Sequence, residues 1–176
     1  MKSLLCTVAI LFIATAAVAQ EGAVVVNVGG SINCVTTMGE SGFDATSYSL
    51  GGTDKKPGPF QAPNPPALAD LTITKNFDAC SENLIRTFLA GKVFPTVTLI
   101  QYQNLGKTDH FAALTITLTN GMINNYQITG APSVLPTESV AFNYSKVCIT
   151  SITQKPDGSL GSPVRVCYDV AKNIVS

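Results

Sequence analysis

The sequence predicts a mainly β fold: a small antiparallel β-barrel of two packed sheets, one flanking α-helix near residues 79–90, and a long Pro-rich loop. Three observations predict it. Short runs rich in Val, Ile, Thr and Tyr alternate apolar with polar residues, and clusters of Gly, Pro, Asn and Asp separate them. Only one stretch changes its period from two to about 3.6 residues. About eight strands at short spacing would expose many edges unless they closed into a barrel or packed as a tight sandwich.

The N-terminus reads as a separate unit. Met1-Lys2 precedes an apolar run over residues 4–18, interrupted only by threonines and closing on Ala17-Val18-Ala19 before Gln20. A positive start, an apolar core and an Ala-x-Ala site predict a secretory signal peptide over residues 1–19, cleaved ahead of Gln20. A buried helix or membrane anchor is the alternative. The run is short for a bilayer core of about 30 Å and has no stop-transfer flank. Cys6 lies inside it, too early and after the wrong residue, Leu5, for a lipoprotein acylation site. No other apolar run is long enough for a transmembrane helix. Residues 20–176 then form a single domain with room for a core.

Charge narrows the partners. The chain carries 11 basic and 11 acidic residues, and signal cleavage removes only Lys2 from that count up to residue 19. With no basic patch, nucleic acid is excluded as a partner. Near-zero net charge does little to oppose self-association.

In chain order, residues 24–28 read as a first strand ended by Gly29-Gly30, and residues 32–36 resume it. Residues 39–42 are a turn and 43–50 a second strand. Residues 51–67 follow, with Gly51-Gly52, Lys55-Lys56-Pro57-Gly58-Pro59, Phe60 and Pro63-Asn64-Pro65-Pro66. Prolines this dense exclude helix and central strand. A loop this long is solvated, or it is an arm that packs on another copy of the protein. Residues 68–75 alternate Leu71 and Ile73 against Thr72 and Thr74. Asp78 suits a helix N-cap, Cys80, Leu84, Ile85, Phe88 and Leu89 form one stripe, and Gly91 is a natural stop. Residues 93–102 are a strand and 104–109 a turn. Residues 111–119 are a strand with Ala112, Leu114, Ile116 and Leu118 on one face. Asn120-Gly121 signals a hairpin turn, so residues 122–129 are expected to return as its partner.

Residues 138–170 read as a long hairpin. Asp157-Gly158 suggests a type I′ turn, which needs positive φ at both central positions. Centred there, Ile149 faces Val166, Val147 faces Tyr168, and Cys148 faces Cys167. Side chains alternate faces along a strand, so the apolar pairs share the core face and the cysteines the other. Four cysteines remain after cleavage, an even count that suits an exported disulfide protein. The register favours Cys148–Cys167, which leaves Cys34 with Cys80; four free thiols are the alternative. Zinc is disfavoured, because there is no Cys-x-x-Cys and His110 is the single histidine.

A search for chemistry finds no nucleophile elbow, phosphate loop, metalloprotease helix or paired histidines. Asp44, Asp70, Asp78, Asp109, Glu138, Asp157 and Asp169 are scattered, and Asn143-Tyr-Ser145 is a chance-level glycosylation triplet mid-strand. The tyrosines Tyr48, Tyr102, Tyr126, Tyr144 and Tyr168 fall at strand spacing and suit packing. The expectation is a protein that is not an enzyme and has no catalytic, metal or cofactor site.

The order of these parts carries a resemblance. Ala69-Asp70 and the strand to Lys75 precede Asp78, Asn83-Leu84, Gly91-Lys92 and Phe94-Pro95. Strand 114–118 and Asn125-Tyr126 follow, then Glu138-Ser-Val140, Phe142-Asn-Tyr144, Gln154-Lys155, Asp157-Gly158-Ser159 and Pro163-Val164. This set resembles the haemolysin-coregulated (Hcp) family, the inner-tube proteins of bacterial type VI secretion. It covers residues 24–173 and is strongest over 69–170. The resemblance implies a small β-barrel with one helix, assembling as a homohexameric ring, with rings stacking into tubes. It assigns stacking to the loop holding Gly51, Lys55, Lys56, Pro57, Phe60, Pro63, Pro65 and Pro66. The signal peptide and cysteine pairs depart from the family, whose members are built in the cytoplasm, and both point to a secreted or periplasmic protein. The sequence therefore predicts an exported, self-assembling structural protein whose partner is itself, with secreted cargo as a further partner. The alternative is a monomeric secreted β-barrel that binds a ligand or delivers an effector.

Overall fold

The computed structural model describes residues 22–29, 32, 34–53, 66–105 and 109–176. The segment expected to be a signal peptide, with Ala17, Ala19 and Gln20, lies outside the described residues. The strands are β1 (Val24–Asn27), β2 (Phe43–Ala45), β3 (Ser47–Ser49), β4 (Gly52–Thr53), β5 (Ala67–Leu68) and β6 (Leu71–Asn76). After helix α1 (Ser81–Leu89) come β7 (Val93–Asn104), β8 (His110–Thr129), β9 (Thr137–Asn143), β10 (Lys146–Ser151), β11 (Val164–Asp169) and β12 (Ile174–Val175).

All pairings are antiparallel. β1 lies between β2 and β7, β7 pairs with β8, β8 with β9, β9 with β6, and β6 with β3. That path nearly encircles the core, but the expected barrel is not closed by an unbroken ladder. β2 and β3 are separate strands divided by Thr46, whose N–H and hydroxyl both donate to the Thr74 carbonyl at 2.8 and 2.9 Å. The two edges at this corner are joined through the chain itself. Core side chains come from the inward phase of each strand: Val26, Phe43, Leu71, Ile73, Val97, Leu99, Leu118, Val140 and Phe142. β10, β11 and β12 extend the sheet from β8 as a wing.

Strand β8 corrects the expected hairpin at Asn120-Gly121. It runs on for 20 residues without turning back. Asn120 takes φ +52°, and a Cβ on Gly121 would collide with the Val97 side chain. Asn tolerates the left-handed region and Gly permits close approach. The pair therefore lets one strand change partners within a single 10-stranded sheet. Residues 114–119 pair with β10, and residues 122–129 pair with β9 rather than with 111–119.

The wing has the expected register, with Val147↔Tyr168, Cys148↔Cys167 and Ile149↔Val166. Its turn differs from type I′. Gly158 is at φ +85°, but Asp157 is not in the positive region. The Gly158 N–H donates to the Lys155 carbonyl at 2.9 Å, and the Asp157 carboxylate accepts from the Ser159 N–H at 3.0 Å. Pro156 holds negative φ at the first central position, which excludes I′ and favours an Asx-supported turn with Gly at its fourth place. The arm before it is also not one strand, because β9 and β10 are divided at Tyr144 and Ser145.

Helix α1 begins later than expected. Cys80 occupies the N-cap, and Asp78 lies two residues before it, accepting from the Cys80 N–H at 2.8 Å. Its end is a Schellman motif: Gly91 at φ +59°, with Gly91 N–H to Phe88 O and Lys92 N–H to Thr87 O. Leu84 is buried and Phe88 stacks on Tyr126, whereas Leu89, expected in the stripe, is exposed.

One buried polar cluster joins the helix to the sheets. Lys75 continues the inward phase of Leu71 and Ile73, and Glu138 that of Val140 and Phe142, so the two face each other across β6 and β9. The Lys75 ammonium lies 2.6 Å from Glu138 Oε1 and 2.9 Å from Asp78 Oδ1. Ser81 donates to the same Glu138 oxygen at 2.9 Å, and the Tyr126 hydroxyl donates to the other. With both charges buried, removing one partner leaves the other unpaired in the core. Glu138→Ala is expected to lower the stability by about 3–5 kcal/mol, read from urea unfolding. A loss below about 0.5 kcal/mol would show that the cluster does not anchor the fold.

Both cysteine pairs lie within bonding distance. Their Cα atoms are 4.0 Å apart for Cys148 and Cys167, and 5.9 Å for Cys34 and Cys80. Closing loops of 19 and 46 residues removes chain entropy from the unfolded state worth about 3 and about 4 kcal/mol. Replacing Cys148 and Cys167 together by Ser is expected to lower the urea midpoint, and non-reducing peptide mapping of the unaltered chain is expected to recover both linked pairs. Free thiols at 148 and 167 would remove the bridge.

Candidate self-assembly surfaces

Two exposed apolar surfaces stand out. The first is the wing. One phase of its strands places Val147, Ile149, Val164, Val166, Tyr168 and Val175 on one face, because strand side chains alternate and the ladders align them. Val147 is buried and Tyr168 packs against the core. The expectation that Ile149 and Val166 also enter the core is corrected. Ile149 is 38 % exposed, Val166 54 % and Val164 64 %. Cover falls off along the strands: the Val147–Tyr168 rung meets the core, and the Ile149–Val166 rung and Val164 lie successively beyond it. Cys148 and Cys167, on the opposite face, are both buried.

Between wing and barrel lies an open apolar groove of about 220 Å³, lined by Leu50, Gly51, Leu68, Tyr144, Ile149 and Val166 among others. Tyr144 donates to the Ala69 carbonyl at 2.9 Å. Burial, with the Asp70 charge adding to it, pushes its phenol up to about 12. It therefore stays a neutral donor across the physiological range.

The groove adjoins the foot of the Pro-rich loop. Gly52 and Thr53 pair with Leu68 and Ala67, and Gly51 and Pro66 are exposed at this base. Lys55, Lys56, Pro57, Phe60, Pro63 and Pro65 lie outside the described residues.

The second surface is at the far end of β8. There β8 ends, β9 begins and β6 ends together: Thr129 and Asn76 both pair with Thr137, and the Phe77 N–H donates to Pro136 O at 2.8 Å. Phe77, Ile128, Val134 and Leu135 are all exposed at this end, Leu135 at 72 %. Large apolar side chains clustered on a surface mark interaction sites more than scattered ones do. Periodicity alone did not expose this patch. Its signal was the run Val134-Leu135 between Pro132 and Pro136, where no strand phase demands apolar residues.

Several of the remaining polar side chains are tied down within the chain. Tyr102 donates to Glu40 at 2.6 Å, and its phenol is pushed up to about 12 by burial and then by that carboxylate. His110 meets the Tyr102 ring edge-on at 5.2 Å. Asp70 accepts from Asn124 and Asn143. Among the described residues no buried side-chain nitrogen or oxygen lacks a partner, and no group of His, Cys, Asp and Glu is placed to hold a metal ion. Among them, too, no helix is long and apolar enough to cross a membrane.

Comparison with known proteins bears on what these surfaces serve. The family model described as "Type VI secretion system effector, Hcp" matches residues 39–150. Protein hcp1 of Pseudomonas aeruginosa is 28% identical over 109 residues, which cover 61% of this chain and 67% of that relative. A solved structure described as a type six secretion system protein superposes with a TM-score of 0.76 at 18% identity, over 88% of this chain and 99% of the other. Hcp1 from Salmonella typhimurium superposes with a TM-score of 0.69 at 16% identity, over 89% and 99%. At such identities the solved structures speak to the fold. The family match runs from the turn before β2 to the wing's first strand, well over half of the sequence, and with it the chain belongs to the Hcp family of type VI secretion proteins.

Proposed function

We propose that this chain is an exported, non-enzymatic structural subunit that self-assembles into homohexameric rings, and that the rings stack into tubes. Membership of a family of tube-like structural proteins is the background. The observation that carries the reading is the apolar surface left on regular strand faces, Val164 at 64 %, Val166 at 54 % and Val175 at 70 % exposure. A solitary subunit would leave this surface wet, and burying it stabilises by about 25 cal/mol per Å². Near-zero net charge offers little repulsion against stacking like subunits.

Assembly takes place after export. The signal-like N-terminus and two cysteine pairs within bonding distance support the same compartment, since disulfides persist in oxidising spaces. The loop bearing Gly51, Lys55, Lys56, Pro57, Phe60, Pro63, Pro65 and Pro66 serves the contact between rings in this reading. Secreted cargo would travel with the assembly.

The apolar groove beside Tyr144 favours a second reading, a monomeric secreted barrel that holds an apolar ligand there. One experiment separates the two. Protein collected from an oxidising compartment is expected to begin at Gln20 by intact mass and to give a hexamer-sized or larger species by size-exclusion chromatography with light scattering. A monomer at high micromolar concentration would overturn the assembly reading in favour of the ligand-binding one.

A further inference from the structure

The two cysteine pairs tie very different places. Cys148 and Cys167 face each other inside a ladder of six rungs, from Lys146↔Asp169 to Ser151↔Val164. Strand β10 is held on its other side by β8. Both cysteines are buried, at 5 % and 7 % exposure. When this bond opens, both ladders still hold the strands in register.

Cys34 and Cys80 have no such support. Cys34 lies in the excursion between β1 and β2, which among the described residues joins no strand ladder. Backbone bonds shape it from within: Thr36 N–H to Glu40 O, Gly39 N–H to Thr36 O and Gly42 N–H to Cys34 O, all at 2.9 Å. Ile32 is buried in the core and Glu40 accepts from Tyr102, which anchors the excursion to the barrel rather than to the helix. Cys80 is the N-cap of α1 and makes no side-chain capping hydrogen bond. Its neighbour Ser81 donates to Glu138, and Asp78, two residues earlier, meets Lys75. The Cys34–Cys80 bond therefore ties a loop excursion to the corner where the buried charged cluster meets the helix.

Access differs in the same direction. Cys80 is the one cysteine of the four that is partly exposed. An outside thiolate that attacks its sulfur forms a mixed disulfide there and releases Cys34 as a thiolate. A second thiolate then frees Cys80. The outside thiols supply both electrons and leave as their own disulfide. Exchange with a small-molecule disulfide runs the same steps backwards and closes the bond.

We propose that Cys34–Cys80 is a redox latch, open where thiols persist and closed in an oxidising space, while Cys148–Cys167 is a permanent staple. Closing the latch fixes the excursion against the start of α1, three residues beyond Phe77. Opening it loosens both places locally and leaves the wing as it is, since segments with few ladder contacts open independently of paired strands. Where the latch closes in cells rests on the export reading; the behaviour of the bond does not.

Graded reduction tests it. Oxidised protein is titrated with dithiothreitol, quenched by alkylation and mapped by mass spectrometry. Cys34 and Cys80 are expected to be alkylated while Cys148 and Cys167 are still linked. In that species, hydrogen exchange is expected to quicken by about tenfold or more at residues 34–42 and 80–84, because the chain entropy of the 46-residue loop is released. Exchange in β10 and β11 is expected to stay as it was. Cys34→Ser combined with Cys80→Ser is expected to give the same pattern without reductant. Release of Cys148 and Cys167 first, or of both pairs together, would overturn the latch. Exchange that stays unchanged at residues 34–42, or that rises equally in β10 and β11, would also overturn it. Protein recovered from cells with residues 1–19 attached and its thiols free, but showing that order of release once oxidised, would overturn the export reading and uphold the latch.

Discussion

Strand β8 is shared by both halves of the sheet system, and the rest of the architecture follows from that. One edge is held by β7 along most of its length; the other is divided between β10 and β9. A single strand can serve both only if it bends where its partner changes. Asn120 and Gly121 provide the bend, one by accepting a left-handed backbone and the other by letting Val97 come close. Before the bend the strand supports the wing; after it, the wall that α1 covers. One exposed apolar surface lies on the strands added before the bend and the other at the far end of β8 for this reason.

The buried Lys75–Glu138 cluster holds the opposite wall. A charged pair in a core is a weak source of net stability, since desolvation offsets most of the Coulomb gain. Its effect here is positional. Glu138 accepts from Ser81 at the start of the helix and from Tyr126 on β8, while Lys75 reaches Asp78 before the helix. Helix, β6, β8 and β9 are thereby set in one arrangement. The Cys34 and Cys80 pair acts at the same helix start and brings the early loop to it.

The wing has no such support. Val164, Arg165 and Val166 on β11 are exposed, and β12 is only two residues long. What steadies it is the ladder to β8, the close approach of Cys148 and Cys167, and the pairing of Ser176 with Cys167 at 2.7 and 2.9 Å. A cross-strand bridge would replace the packing that a solitary subunit lacks there. An assembly surface needs this combination of apolar exposure with a fixed shape, because a loose strand would lose entropy on docking.

Local pattern determined much of this protein. Strand-forming runs marked β1 and β7, alternation marked β6 and the first half of β8, the change of period marked α1, and the wing register followed from one turn and two cysteines. The ordered set of segments also sufficed for the family. Several features were decided only in three dimensions. Asn-Gly favours a hairpin when only neighbours are considered, yet here the competing partner β9 captures the second half of the strand. Ile149 and Val166 have the right phase for a core, but phase says which face a side chain takes, not whether anything covers that face. In sequence, Lys75 only ends a strand and Glu138 is one acid among several, on segments far apart. Pairing them needed the β6–β9 ladder, because local spacing carries no information about contacts between residues 63 apart.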